Sequence, residues 1–335
     1  MSMQKVLMGV ATVIAVGVGS LWAARDKKSA PPSPEEQRWP RSARLGTQLD
    51  HPSGVAADTQ YLYFVTGGFQ QAENAVKRVA LTGGTVETLA SGDFMTGGHI
   101  VCDERFVYWT TQGSSMSVRA VPKAGGKAVI LATAPARPDY LAVDDTHVYF
   151  TTTSKTAEVG QVLRVAKQGG NLDTLLKGYA GLSGLVVDQS FVYFTTPEGL
   201  HKVAKSGGAP TTMLAGERKA IRLAGDAQFL YFFSEESTGK LGVAKLAKSG
   251  GAPTRLTPPA QWTMDLALSD NAVYFFQETN STYAGQITVY ALRRVPKAGG
   301  EVATVDAGEV TSGRLTVAGG DVLFSVINTL YRVPK

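Results

Sequence analysis

The chain has 335 residues, of which 44% are hydrophobic and 18% charged, with 37 Gly, 15 Pro and a single Cys. An ordinary apolar fraction with low charge excludes global disorder, and one Cys excludes an internal disulfide framework or a Cys-rich zinc site. Of the net charge of +5, three units sit at the front: residues 1–41 hold six basic and three acidic residues, which leaves 27 and 25 for the rest. So nearly neutral a body lacks the basic stripe of a nucleic-acid binder, and no nucleic-acid partner is expected.

Lys5 is followed by nineteen residues without a charge, Val6–Ala24. That length suits a bilayer-spanning helix and exceeds the usual apolar region of a signal peptide. Two readings stay open. Small residues at Val18 and Ser20 allow cleavage of an export signal, whereas Arg25, Lys27 and Lys28 could hold an uncleaved anchor at the headgroups. Both predict an extracytoplasmic protein, periplasmic or secreted, and the second tethers it to the membrane. Residues 1–28 are therefore set apart as signal or anchor, and 29–41, with its run SAPPSPEEQ, as a Pro-rich linker. The body is 42–335.

That body repeats one unit seven times. An aromatic strand recurs as YLYFVT (from Tyr61), FVYWTT (Phe106), HVYFTT (His147) and FVYFTT (Phe191), then more loosely as FLYFFS (Phe229), AVYFFQ (Ala272) and DVLFSV (Asp321). An apolar run precedes each copy. In the first five blades it closes on Asp58, Asp103, Asp144, Asp188 or Asp226, where a carboxylate can accept backbone N–H bonds and start a tight turn. A further strand then leads to a Gly-Gly turn, whose paired glycines supply the positive φ of a two-residue hairpin, and a fourth short strand follows. Four short strands at this period predict an all-β fold, a seven-bladed β-propeller. The seventh copy ends at TLYRVPK without a fourth strand, and Ala43–Leu49 is free to supply it. The prediction is a last blade closed by an N-terminal strand, which removes an open sheet edge.

HPSGVAAD with LYFVT (His51–Thr66) resembles an NHL-type repeat, and VYWTT (Val107–Thr111) resembles the YWTD repeat of receptor propellers. The resemblance spans 42–335 and rests on strand and turn positions. YWTD proteins usually have six blades and an Asp where Thr111 stands, so no receptor function follows from it. Related folds include extracellular lactonases, lyases and glutamine-cyclising enzymes, none of whose functional residues aligns with a residue here.

Aligning the seven inner strands exposes a candidate site. Their first position reads Gly54, His99, Tyr140, Gly184, Arg222, Asp265 and Arg314, while two residues on it reads Ala56, Val101, Ala142, Val186, Ala224, Ala267 and Thr316. The second ring is small, as packing about a narrow axis requires. The first departs from that need in five blades, and such departures are expected at functional sites. Two arginines favour a carboxylate or phosphate. Asp265 could pair with one of them, and His99 with Tyr140 could orient a ligand or move a proton. The competing reading is a solvated ion-pair plug with no ligand. Trp262 (in AQWTMD) is added as an aromatic platform for a sugar or peptide, against the plainer reading of a cap over an inter-blade seam. Expected partners are a small anionic ligand, a peptide or saccharide, or a protein. The chain is expected to act as a ligand- or partner-binding or assembly module, and the alternative is an extracytoplasmic enzyme of lactonase or lyase type on the same face.

No cofactor or metal is expected, because His51, His147 and His201 fall at unrelated repeat positions. Cys102 aligns with Ala57, Val143 and Val187, which predicts a small core residue. Lys123, Lys167, Lys205, Lys248 and Lys297 each stand just before a Gly-Gly turn, and are read as a cationic ring that keeps the hairpin ends soluble.

Overall fold

The computed structural model describes residues 39, 41–67, 74–92, 95–153, 160–216, 220–235, 239–260, 263–281, 288–309, 313–326 and 328–334. Twenty-eight strands form seven antiparallel four-stranded sheets, the blades of a propeller. Six are continuous in sequence. The seventh is composite: Gly313–Ala318, Asp321–Val326 and Thr329–Val333 are completed by Ala43–Gly46, which pairs antiparallel with Thr329–Val333. The closing strand is thus the one expected, though Leu49 lies beyond it and is held by its N–H to the Asn328 carbonyl, 2.9 Å. Among the described residues no helix is long and apolar enough to cross a membrane, and Val6–Ala24 lies outside them.

The aromatic strands are second from the axis. Each lies between neighbouring blades, so both its faces are covered; Leu62, Tyr63, Phe64 and Val65 are all at most 1% exposed. This explains the lack of period-two alternation in YLYFVT, since a strand covered on both sides reads as a continuous apolar run. The buried residues form seven clusters, one per seam. Tyr63, Val65, Ile100 and Trp109 join blades 1 and 2, for example, and Leu62, Phe64, Leu323 and Leu330 join blades 7 and 1.

A polar belt reinforces five of these seams. In blades 1 to 5 the turn aspartate accepts the backbone N–H groups two and three residues on, as Asp58 does from Gln60 and Tyr61, both at 2.8 Å. Its other oxygen accepts the hydroxyl of the tyrosine five residues on: Tyr63, Tyr108, Tyr149, Tyr193 or Tyr231, at 2.8–2.9 Å. The same oxygen takes the lysine of the next blade. The pairs are Lys123–Asp58, Lys167–Asp103, Lys205–Asp144, Lys248–Asp188 and Lys297–Asp226, at 2.6–3.2 Å. The lysines are therefore inter-blade straps, each also lying over its neighbour's tyrosine ring, and not the free cationic ring that spacing alone suggested.

At the seam between blades 7 and 1 the belt changes chemistry. Leu81 occupies the lysine position, Ala318 the aspartate position and Leu323 the tyrosine position, and all three belong to one buried apolar cluster. In blade 6 Ser269 replaces the aspartate. There the seam with blade 7 is filled by Trp39, which is 1% exposed and packs on Phe276, Phe324 and Tyr331. Packing thus reaches upstream of residue 42.

Candidate functional site

The inner strand of each blade enters the sheet beside the axis, and local irregularities aim its first residue. In blade 5 the pairing register slips between Ile221 and Ala224, and in blade 6 between Met264 and Leu266. The residues at these bulges, Arg222 and Asp265, have φ of +56° and +35°. A left-handed backbone at an arginine costs about 1 kcal/mol or more, and such strain concentrates where a side chain must point somewhere specific. Blade 2 slips between Thr96 and Ile100, and blade 3 between Pro138 and Leu141, around His99 and Tyr140. In blade 7 Arg314 stays in register opposite Ser325.

The outcome is one cavity of about 170 Å³ whose lining includes Gly54, His99, Tyr140, Arg222, Asp265 and Arg314. Five polar side chains from five blades thus reach a single space. Trp262 lies outside the described residues. Gly184, at the same position in blade 4, is glycine because a Cβ there would meet Leu223 Cβ at 2.7 Å and Thr195 Oγ1 at 2.8 Å. Gly184→Ala is expected to destabilise the fold by about 1–3 kcal/mol through overpacking, read as a lower unfolding midpoint in urea. An unchanged midpoint would show that blades 4 and 5 can separate at no cost.

Within the cavity the groups are already partly engaged. His99 Nε2 lies 2.7 Å from Asp139 Oδ1, and its ring is tilted against Tyr140 with centroids 4.6 Å apart. The Arg222 guanidinium carbon is 5.9 Å from the Tyr140 ring centre. Asp265 Oδ2 accepts the backbone N–H of Leu315 at 2.8 Å, a bond from blade 7 to blade 6. Arg314 Nε is buried and has no hydrogen-bond partner among the described residues.

Electrostatics follow from these contacts. Burial works to raise the Asp139 carboxyl, but the His99 hydrogen bond and charge, with Arg137 and Arg222, outweigh it and hold the group below its ordinary range. Tyr140 moves the other way. Burial raises its phenol, Arg222 and Arg314 oppose, and Asp139 and Asp265 add to the rise, so the hydroxyl stays a donor at neutral pH. One phenol thus feels charges from blades 3, 5, 6 and 7.

Asp139 escaped the reading of the repeats because it stands one residue before the aligned ring. Comparing that earlier position (Ser53, Gly98, Asp139, Ser183, Ile221, Met264, Gly313) would have singled it out as the one charged residue. The remaining candidates are structural. His201 is 6% exposed and bonded to Thr196 and Thr212 through its two ring nitrogens, and burial lowers its pKa. Cys102 packs on the seam between blades 1 and 2, where burial above all pushes its thiol up to about 11. Among the described residues no three His, Cys, Asp or Glu side chains gather as metal ligands.

No protein-family model and no curated protein matches the chain. Solved structures do match. The oligogalacturonate lyase of Vibrio parahaemolyticus superposes with a TM-score of 0.64 over 87% of this chain and 93% of that one, at 12% identity. A puromycin hydrolase gives 0.61 at 14% identity, covering 84% of this chain, which spans about half (51%) of that one. A putative TolB from Agrobacterium tumefaciens gives 0.50 at 14% identity, over 68% and 87% of the two chains. At such identities the likeness is one of fold. The propeller architecture is shared with these proteins; their chemistry is not thereby transferred.

Proposed function

We propose that this chain is an exported or membrane-tethered propeller that acts as a binding module, with a small anionic group as ligand at the channel mouth. One observation carries the reading: two arginines, from blades 5 and 7, line the same small cavity with only one carboxylate, Asp265, among its lining residues. Two cationic side chains at one small space favour an anion as the ligand. The uncharged stretch Val6–Ala24 supports export.

The test is calorimetric titration of the full-length protein with acidic sugars and short peptides, repeated with Arg222→Gln/Arg314→Gln. Saturable binding that the double variant loses at an unchanged melting temperature supports the site. Equal binding by both proteins would leave the plug of paired charges as the better account.

A second reading is an extracytoplasmic enzyme of lactonase or lyase type. His99 oriented by Asp139 beside Tyr140 favours it, since that arrangement could hold and move a proton. His99→Gln should then abolish turnover while leaving the ligand's affinity within a few-fold.

A further inference from the structure

We propose that the channel-mouth site selects a singly charged carboxylate end group over a phosphate dianion, with Asp265 as the residue that sets this preference. The proposal rests on the anion-site reading above and specifies its ligand class.

The argument begins with size. Pockets that enclose a whole drug-sized ligand measure about 300–1,000 Å³. This cavity, at about 170 Å³, has room for an end group, and the remainder of a longer molecule must lie outside it. Charge comes next. With the His99–Asp139 pair counted apart as one hydrogen-bonded unit, the formally charged side chains of the lining are Arg222 and Arg314 against Asp265, a net of one positive charge. Asp139 stands behind the lining with its carboxylate engaged by His99 and further countered by Arg137 and Arg222. A monoanion neutralises that excess. A dianion overshoots it and meets the Asp265 carboxylate inside a low-dielectric space, where like charges repel most strongly.

Asp265 is also fixed. Its Oδ2 accepts the Leu315 N–H at 2.8 Å and the residue lines the cavity, so it cannot swing away from an incoming anion without giving up the bond to blade 7. Arg222 and Arg314 stand on blades 5 and 7, on either side of the blade that carries it. An acid kept between two arginines lowers the affinity for any anion. It lowers that for a dianion more, so specificity is gained at the expense of strength. Tyr140, protonated and within the field of all three, adds a neutral donor that serves a carboxylate oxygen without adding charge.

Two probes share a hexose and differ in the end group: glucuronate, a monoanion, and glucose 6-phosphate, whose second ionisation near pH 6 makes it a dianion at pH 8. Titrating the full-length protein with each at pH 8 is expected to give glucuronate the tighter binding by about tenfold. Asp265→Asn keeps an oxygen for the Leu315 N–H and should tighten glucose 6-phosphate by about tenfold while changing glucuronate less, which closes or reverses the gap. The wild-type comparison stands even if the variant fails to fold. Phosphate binding as tight as carboxylate in the wild type, or equal gains for both probes in a folded Asp265→Asn protein, would overturn the selectivity while keeping the anion site. Binding of neither probe, or binding indifferent to Arg222→Gln/Arg314→Gln, would overturn the anion site itself.

Discussion

Replacing Trp39 with alanine is expected to cost the propeller about 3–5 kcal/mol, the range for deleting a buried large aromatic side chain. The ring is 1% exposed, with centroids 4.9 Å from Phe324, 5.8 Å from Phe276 and 6.3 Å from Tyr331. It lies so close to the blade 6 backbone that a Cβ on Gly308 would fall 2.6 Å from its Nε1. Around it the chain is tied down as well: Trp39 N–H donates to the Ala307 carbonyl, and Ser42 Oγ and Arg41 N–H both donate to Asp306 Oδ2. The residue lies four positions before the closing strand, so the cavity left by alanine would loosen both the seam between blades 6 and 7 and the attachment of Ala43–Gly46. Chemical denaturation should show a lower midpoint, with protease cleavage appearing first at the front of the body. A Trp39→Phe protein should recover part of the loss, because it restores much of the ring contact. A Trp39→Ala protein as stable as wild type would mean that ring closure depends on the strand pairing alone.

The second large effect is acid unfolding between pH 4 and pH 2. Burial of each turn aspartate works against its ionisation, yet the lysine of the next blade, two backbone N–H groups and a tyrosine hydroxyl outweigh that burial. Asp58, Asp103, Asp188 and Asp226 are held at about 2, and Asp144 lower still, against an ordinary 3.8. A carboxylate whose folded pKa lies below its unfolded one contributes stability that is fully present above pH 4. That contribution is lost as the pH falls through the folded value. After allowance for solvent screening at these half-exposed sites, each is worth about 1 kcal/mol. Five together reach the lower end of the margin of a typical domain, about 5–15 kcal/mol. The tyrosines set the opposite limit. Burial and the aspartate hydrogen bond raise all five phenols, Tyr149 to about 12, so their contribution holds below pH 10 and fades above it. Circular dichroism against pH is the measurement. Asp103→Asn with Lys167→Met, in a double-mutant cycle, should give a positive coupling at pH 7 that shrinks as the pH is lowered below 4. A coupling that stays constant down to the start of the acid transition would assign it to packing of the lysine stem.

The architecture was legible in the sequence because each blade states it separately. Seven aromatic strands and six Gly-Gly turns are redundant information, so a looser copy such as DVLFSV is carried by its neighbours. The ring of His99, Tyr140, Arg222, Asp265 and Arg314 could be read for the same reason, as residues that break a pattern the fold requires. What the repeats do not encode is geometry across seams. Lys123 and Asp58 are 65 residues apart, and only the placement of blade 2 against blade 1 makes them a pair. Asp139 was missed for a related reason: it is the one charged residue at its aligned position, but only the bulge in its strand, which the alignment of a single ring does not show, brings it to His99. Trp39, read as linker, follows a Pro-rich run whose composition says nothing of a single anchor residue.

The exchange at the seam between blades 7 and 1 has a consequence for how the ring comes apart. Leu81, Ala318 and Leu323 hold that junction with apolar contacts that neither protons nor salt weaken, beside one hydrogen bond from Arg332 to the Leu81 carbonyl, whereas the straps from blade 1 through blade 6 are lysine–aspartate ion pairs. At the junctions of blade 7 with blades 6 and 1 the strap aspartate is replaced by Ser269 and Ala318, and Trp39 reinforces the first of them. On acidification the break should therefore fall among blades 1 to 6 and spare the composite blade. The opened particle would be a linear stack with that composite blade in its interior and its new ends at former mid-chain blades. In effect it would be a circular permutant made by pH. Hydrogen exchange at pH 3 should then show Ala43–Gly46 and Thr329–Val333 among the last strands to lose protection.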